Sequence, residues 1–274
     1  MEVVSENQFF PTPITYKEPK SRASFRAQGE PLGVFDDILP LRYDKNGKEV
    51  LLSQGPAMWL RVMPSENRAR KFEIDKLRTL ANGNPLLMPL SFNSIFGEIF
   101  HLKAEDGYGA YTNVSNRAPR IDDNYSAKMN DPNWHTDEKI LVADMVSFVF
   151  STGEIWGIDA HSLRILVGSG IPPIIEKHMR QGLSAYVSLL QRLGIRPPYR
   201  WMAGMEGIEG ETLCVPFIPY SFYAHSEGIG KCEVNSIFAE GEFKNKSPAR
   251  VLAPLFRQLY EACNVGRPQW LDDD

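Results

Sequence analysis

The chain carries none of the short motifs that mark nucleotide-binding or hydrolytic enzymes. It has no Walker loop, and Gly204, Gly207 and Gly210 form a regular triplet in a strand and turn instead of opening a helix, so dinucleotide binding is not expected. Close backbone approach or bulges account for those glycines better. A G-x-S-x-G elbow is missing, which removes the usual serine nucleophile, and no cysteine has an obvious partner histidine. Cysteine is itself scarce: Cys214, Cys232 and Cys263 are odd in number and lack the spacing of a zinc site or a disulfide framework, and they read as buried thiols in a reducing cytosol. No apolar run approaches the length needed to cross a bilayer. The opening Met1-Glu2-Val3-Val4-Ser5-Glu6-Asn7 is acidic and lacks the basic and apolar regions of a secretory signal. An excess of positive charge is also absent, since 30 Lys and Arg against 34 Asp and Glu leave a net charge of -4. No overall basic field draws the molecule to phosphate backbones, so nucleic-acid contact must be local or belong to another domain. The expectation is a soluble, cytoplasmic chain.

What is present is enough apolar material for a core: 43% of 274 residues are hydrophobic. Residues 1-50 carry Pro11, Pro13, Pro19, Pro31 and Pro40 among charges without helix or strand period, and read as an extended arm or linker. Residues 51-274 read as a single α+β domain. Met58 to Met63 form a short strand ended by Pro64, followed by a basic helix over about Arg68 to Leu80. Glu105-Asp106-Gly107 between two β-prone runs signals a hairpin, and Ser151-Thr152-Gly153 a bulged one, at the centre of the sheet. Residues 113-138 are polar and turn-rich, which suggests a surface loop.

Beyond Pro172 and Pro173, Ile175, Met179, Gly182, Tyr186, Leu190 and Leu193 lie on one face of a long helix that Gly194 ends. Glu176, Arg180, Gln181, Ser184, Ser188, Gln191 and Arg192 occupy the opposite face. Ser247 and Pro248 start a last helix that buries Leu252, Leu255, Phe256, Leu259 and Cys263, with Gly266 and Pro268 as its stop. Hairpins ahead of helices give a mostly antiparallel sheet packed by a long amphipathic helix and a C-terminal helix.

The residues that could carry chemistry are dispersed. His101, His135, His161, His178 and His225 show no metal-binding spacing. His161 follows Asp159 at a strand end, where a polar pair can face a groove. Glu240, Glu242 and Lys244 have the acid-x-Lys spacing of metal-dependent nucleases, because alternate strand residues share a face. Glu18-Pro19-Lys20 and Asp137-Glu138-Lys139 fit the same pattern, so the spacing discriminates little. Arg61, Arg68, Arg70, Lys71, Lys76 and Arg78 make the densest basic cluster, with Trp59 and Phe72 interleaved, and are the candidates for nucleic-acid or partner contact. Glu66, Glu73 and Asp75 among them favour a solvated face with internal ion pairs.

Gly55 to Pro64, Asp144 to Asp159, the helix to Gly194, Arg196-Pro197-Pro198 and Trp201 to Gly210 occur in an order that resembles the region following the AlbA-like DNA-binding domain of bacterial Schlafen-type proteins. The resemblance covers roughly residues 55-270 and rests on structural punctuation, not on catalytic residues. It implies a companion domain for sensing, dimerisation or partner binding in a regulatory or phage-defence setting. In that family, nucleic-acid contact and nuclease carboxylates belong to the preceding domain. Glu242-Phe243-Lys244 matches its Glu-Phe-Lys signature only in a position far downstream, so no catalytic residue is carried over. The resulting expectation is a non-enzymatic domain, without metal or cofactor, that binds a protein partner or itself. The alternative is a metal-dependent enzyme acting on nucleic acid, with Glu240, Glu242 and Lys244 or Asp159 and His161 around a divalent cation.

Overall fold

The computed structural model describes residues 50-52, 56-65, 71-81, 98-103, 107-113, 141-143, 145-159, 162-163, 170-171, 174-216 and 226-267. Its strands in chain order are β1 (Val50–Leu52), β2 (Ala57–Pro64), β3 (Glu98–Lys103), β4 (Gly107–Asn113), β5 (Leu141–Ala143), β6 (Met145–Phe150), β7 (Ile155–Asp159), β8 (Gly170–Ile171), β9 (Tyr199–Glu206), β10 (Thr212–Pro216), β11 (Ser226–Lys231) and β12 (Ser236–Phe243). The helices are α1 (Ile74–Ala81), α2 (Ile174–Arg192) and α3 (Pro248–Ala262). The architecture is α+β. Apart from Val50, the first residue of β1, and Asn113, the last of β4, the proline-rich arm and the polar loop expected from the sequence lie outside the described residues.

Seven strands form one sheet in the order β12-β9-β2-β7-β6-β4-β3, and every neighbouring pair in it is antiparallel. Two shorter sheets, β1-β5 and β11-β10-β8, each contain a parallel pair. Both expected hairpins are present, β3 with β4 and β6 with β7. Gly153 takes the positive φ of 89° that closes the second, where the Phe150 carbonyl accepts the Gly153 N–H at 2.9 Å. β7 stands fourth of the seven strands, at the centre.

Alternation along the strands divides the sheet into two faces. Met58, Leu60, Val62, Val149, Ile155, Tyr199, Trp201, Ala203, Met205, Ile237 and Phe243 join one core cluster with Ile175, Met179, Tyr186 and Leu190 of α2 and Leu252, Phe256 and Leu259 of α3. The other face carries Trp59, Arg61, Phe148, Trp156 and Met202, also buried. Gly204 is set in this second layer: a Cβ there would stand 2.7 Å from the Trp59 ring, so the glycine serves close approach.

The helix ends follow from local chemistry. Gly194 has φ 76°, its N–H binds the Gln191 carbonyl at 2.8 Å, and Ile195 N–H binds the Leu190 carbonyl at 2.9 Å, which together make a Schellman cap. Ser247 caps α3, accepting the Arg250 N–H at 3.5 Å with Pro248 at the first position.

Four expectations need correction. α1 spans Ile74–Ala81 and not about Arg68 to Leu80, because Phe72 N–H is taken at 2.7 Å by the Ser151 carbonyl, which pins the chain to the β6-β7 turn before the helix begins. α3 ends at Ala262, and Asn264 rather than Gly266 takes the left-handed position that closes it: Asn264 has φ 54°, and Val265 N–H closes on the Tyr260 carbonyl at 3.0 Å. Asparagine tolerates the left-handed region that other residues avoid. Glu176 and Arg180, expected on the helix face away from the apolar stripe, are buried all the same, because α3 and Arg267 close over them. Cys232 and Cys263 are joined as a disulfide and are not free thiols, since the β11-β12 link folds back against the end of α3.

Candidate functional site

Two buried ionic centres are the most polar features of the described interior. The first is built on β2, where Arg61 lies opposite Trp156 of β7 and Met202 of β9. Arg61 Nε donates to Glu154 Oε1, and Trp156 Nε1 donates to the same oxygen at 2.6 Å. The guanidinium lies 4.7 Å from the Trp156 ring centroid, and Nη1 reaches Met202 Sδ at 3.7 Å. Next to it, Trp59 Nε1 donates to Glu206 Oε1 at 3.2 Å, with the Trp59 ring 5.9 Å from Phe238 and 6.3 Å from Trp156. Arg61 is 3% exposed and Glu154 1%. Burial pushes the Glu154 carboxyl up, while the Arg61 charge and the bonds from Arg61 and Trp156 pull it back only in part.

The second centre joins α2, α3 and the segment after α3. Arg267 holds Glu176 with two bonds, Nε to Oε1 at 3.1 Å and Nη2 to Oε2 at 2.8 Å, and Arg180 Nη2 adds a third at 3.0 Å. Burial raises the Glu176 pKa, opposed first by Arg267 and then by Arg180. Tyr260 of α3 is likewise raised by burial and by the nearby Glu176 charge. Two residues along α2, burial and the Lys177 charge lower His178 to about 4, so the imidazole is neutral at pH 7.

Both carboxylates face partners inside the fold. Glu176 is held through both oxygens, whereas both bonds to Glu154 fall on Oε1 and its Oε2 is buried without a hydrogen-bond partner among the described residues.

The candidates read from the sequence do not converge. Asp159 is fully buried at the end of β7 and accepts the Ser162 N–H at 2.7 Å and Ser162 Oγ at 2.6 Å, so both its oxygens are bonded to Ser162. Its charge acts on Tyr186 of α2, which places it on the helix-covered face. His161 lies outside the described residues. Glu240 and Glu242 are on β12, on the face opposite Ile237, Ala239 and Phe243, and Lys244 is exposed just beyond the strand. β12 and β7 are separated by β9 and β2, three inter-strand spacings of roughly 4.8 Å each. The two acidic groups therefore occupy different faces and distant strands.

The basic cluster divides in the same way. Lys71, Lys76 and Arg78 are exposed, with Lys76 Nζ 5.7 Å from the Phe72 ring centroid, whereas Arg61 is buried on its own strand and offers nothing to an external backbone. Arg68 and Arg70 lie outside the described residues. Among the described residues no group of three or more His, Cys, Asp or Glu gathers as a metal site, and no helix is long and apolar enough to cross a membrane.

Sequence reasoning missed Glu154 and Glu206, and gave Glu176 and His178 no role. Trp59-x-Arg61 beside Glu154-x-Trp156 carried a usable signal, because polar residues alternating with aromatics in strands that pair would face one another. The Glu176 to Arg267 contact spans 91 residues and had no local signal. Comparison of the chain with protein-family models, curated proteins and solved structures finds no match.

Proposed function

We propose that this chain is a non-enzymatic companion domain of the bacterial Schlafen-type kind, cytoplasmic, and acting through contact with a protein partner or a second copy of itself. In that reading, nucleic acid is engaged by an AlbA-like domain of the same system, and this domain contributes sensing, dimerisation or a partner surface in regulation or phage defence. The observation that carries it is the disposition of the carboxylates. Glu154, Glu176 and Asp159 are each committed to structural partners, while Glu240 and Glu242 stand apart from Asp159 on an outer strand. Such an arrangement supports a scaffold better than an active centre. Light scattering of the purified chain, with calorimetric titration of itself, candidate partners and nucleotides, tests the reading. Saturable self- or partner association without turnover is expected, and robust metal-dependent turnover overturns it.

A further inference from the structure

We infer that the Cys232–Cys263 bond is a reversible thiol latch on the segment from Cys263 to Arg267, opened by a dithiol reductant and closed again by oxidation. The bond joins the C-cap of α3 to the link between β11 and β12, 31 residues apart in sequence. Around it the two elements are tied without help from sulfur. Glu233 N–H binds the Ala262 carbonyl at 3.0 Å, Asn264 Nδ2 donates to Glu233 Oε1 at 2.9 Å, and Gly230 backs onto Cys263 so closely that a Cβ would lie 1.8 Å from its carbonyl oxygen. Four residues beyond Cys263, Arg267 inserts its guanidinium on the buried Glu176 carboxylate. One covalent bond thus stands at the root of the segment that completes the second ionic centre.

Opening takes two electrons and two protons from the dithiol, which becomes a disulfide, and leaves a thiol on each cysteine. Two thiols need more room than the bond between them, and Cys263 is fully buried with Cys232 only 2% exposed. Gly230 leaves no room on the strand side, so the last turn of α3 must yield. Helix ends are where local opening costs least. That movement carries Asn264 off Glu233 and draws Arg267 away from Glu176, which leaves Glu176 to Arg180. This step rests on the cytoplasmic reading proposed above: in a reducing compartment a disulfide is expected to be regulatory or transient, not permanent.

The test uses the whole chain. Aliquots equilibrated with graded dithiothreitol are quenched, alkylated under denaturing conditions and mapped by mass spectrometry, with hydrogen exchange followed in parallel. The expected result is that Cys214 alone is alkylated before reduction, all three cysteines after it, and that a disulfide oxidant restores the first pattern. On reduction, exchange over residues 261-267 should accelerate at least about tenfold while β2, β7 and β9 stay protected. Cys232→Ser should reproduce the fast exchange without dithiol, and Cys214→Ser should change nothing. Three alkylated cysteines before any reduction would sink the latch. So would a bond that opens only with global unfolding, or reduction that leaves residues 261-267 as protected as before.

Discussion

Arg267 grips Glu176 through both carboxylate oxygens, at 3.1 and 2.8 Å, and so fastens the segment after the last helix to the first turn of a helix 91 residues earlier. Glu176 is fully buried, and its two cationic neighbours are nearly so. Glu176→Ala removes the carboxylate that Arg180 and Arg267 share, and a cost of about 3 to 5 kcal/mol is expected because buried charge is left uncompensated. Arg267→Ala should cost less, since Arg180 still neutralises Glu176. Urea unfolding midpoints measure both. Equal midpoints for the wild type and Glu176→Ala would contradict the assignment.

The Arg61 and Glu154 pair makes a parallel case on the opposite face of the sheet. Either single change, Arg61→Met or Glu154→Leu, leaves a buried ion without its partner and should destabilise by about 3 to 5 kcal/mol, whereas the double change should recover much of that loss. A double-mutant cycle of unfolding free energies reads the coupling directly. Additive losses would mean that the two charges do not see one another.

How much of this is legible in the sequence depends on the range of the cause. Gly153, Gly194, Ser247 and Pro248 act within a turn of their own positions, and each does what its residue type and placement suggest. Asn264 and Gly266 can both take the left-handed region, and the sequence does not rank them. The burial of Glu176 and Arg180 is invisible there, since a helical wheel sees only its own helix and the covering residues come from α3 and Arg267. The disulfide is invisible for the same reason: Cys232 and Cys263 meet only after β12 and α3 have folded back past one another. For the candidate site, spacing correctly puts Glu240 and Glu242 on one face, but spacing cannot say that Asp159 lies on the other. Arg61 joins the basic cluster by proximity in sequence, yet its position on an inner strand gives it a different fate.

His178 gives the chain a pH signature. Its pKa falls from an ordinary value near 6.5 to about 4 on folding, chiefly through burial, so between those values the unfolded chain binds more protons than the folded one. Its contribution is therefore complete above pH 6.5 and is lost as the pH falls toward 4, with a ceiling of about 3 kcal/mol. Glu154 and Glu176 run the other way, because raised carboxyl pKa values favour folding on the acid side and lose that effect as pH rises through them. The clean measurement is the difference between the wild type and His178→Phe across roughly pH 4 to 7. That difference should shrink toward low pH, and a constant difference would rule His178 out.

Two glycines separate conformational from steric need. Gly194 has φ 76° and no atom lies within 4 Å of the place a Cβ would occupy, so Gly194→Ala should cost about 1 kcal/mol from backbone strain alone. At Gly230 a Cβ would collide with the Cys263 backbone, and Gly230→Ala should cost at least about 2 kcal/mol because the backbone itself must move. Thermal unfolding of the two variants should rank them in that order.

The most direct test of the proposal that this chain works by contact and not by catalysis is a cleavage assay on labelled DNA and RNA, with magnesium or manganese added and Glu242→Ala run beside the wild type. The expected result is no turnover above background for either protein at any metal concentration. Metal-dependent cleavage by the wild type that disappears in a folded Glu242→Ala variant would contradict the account.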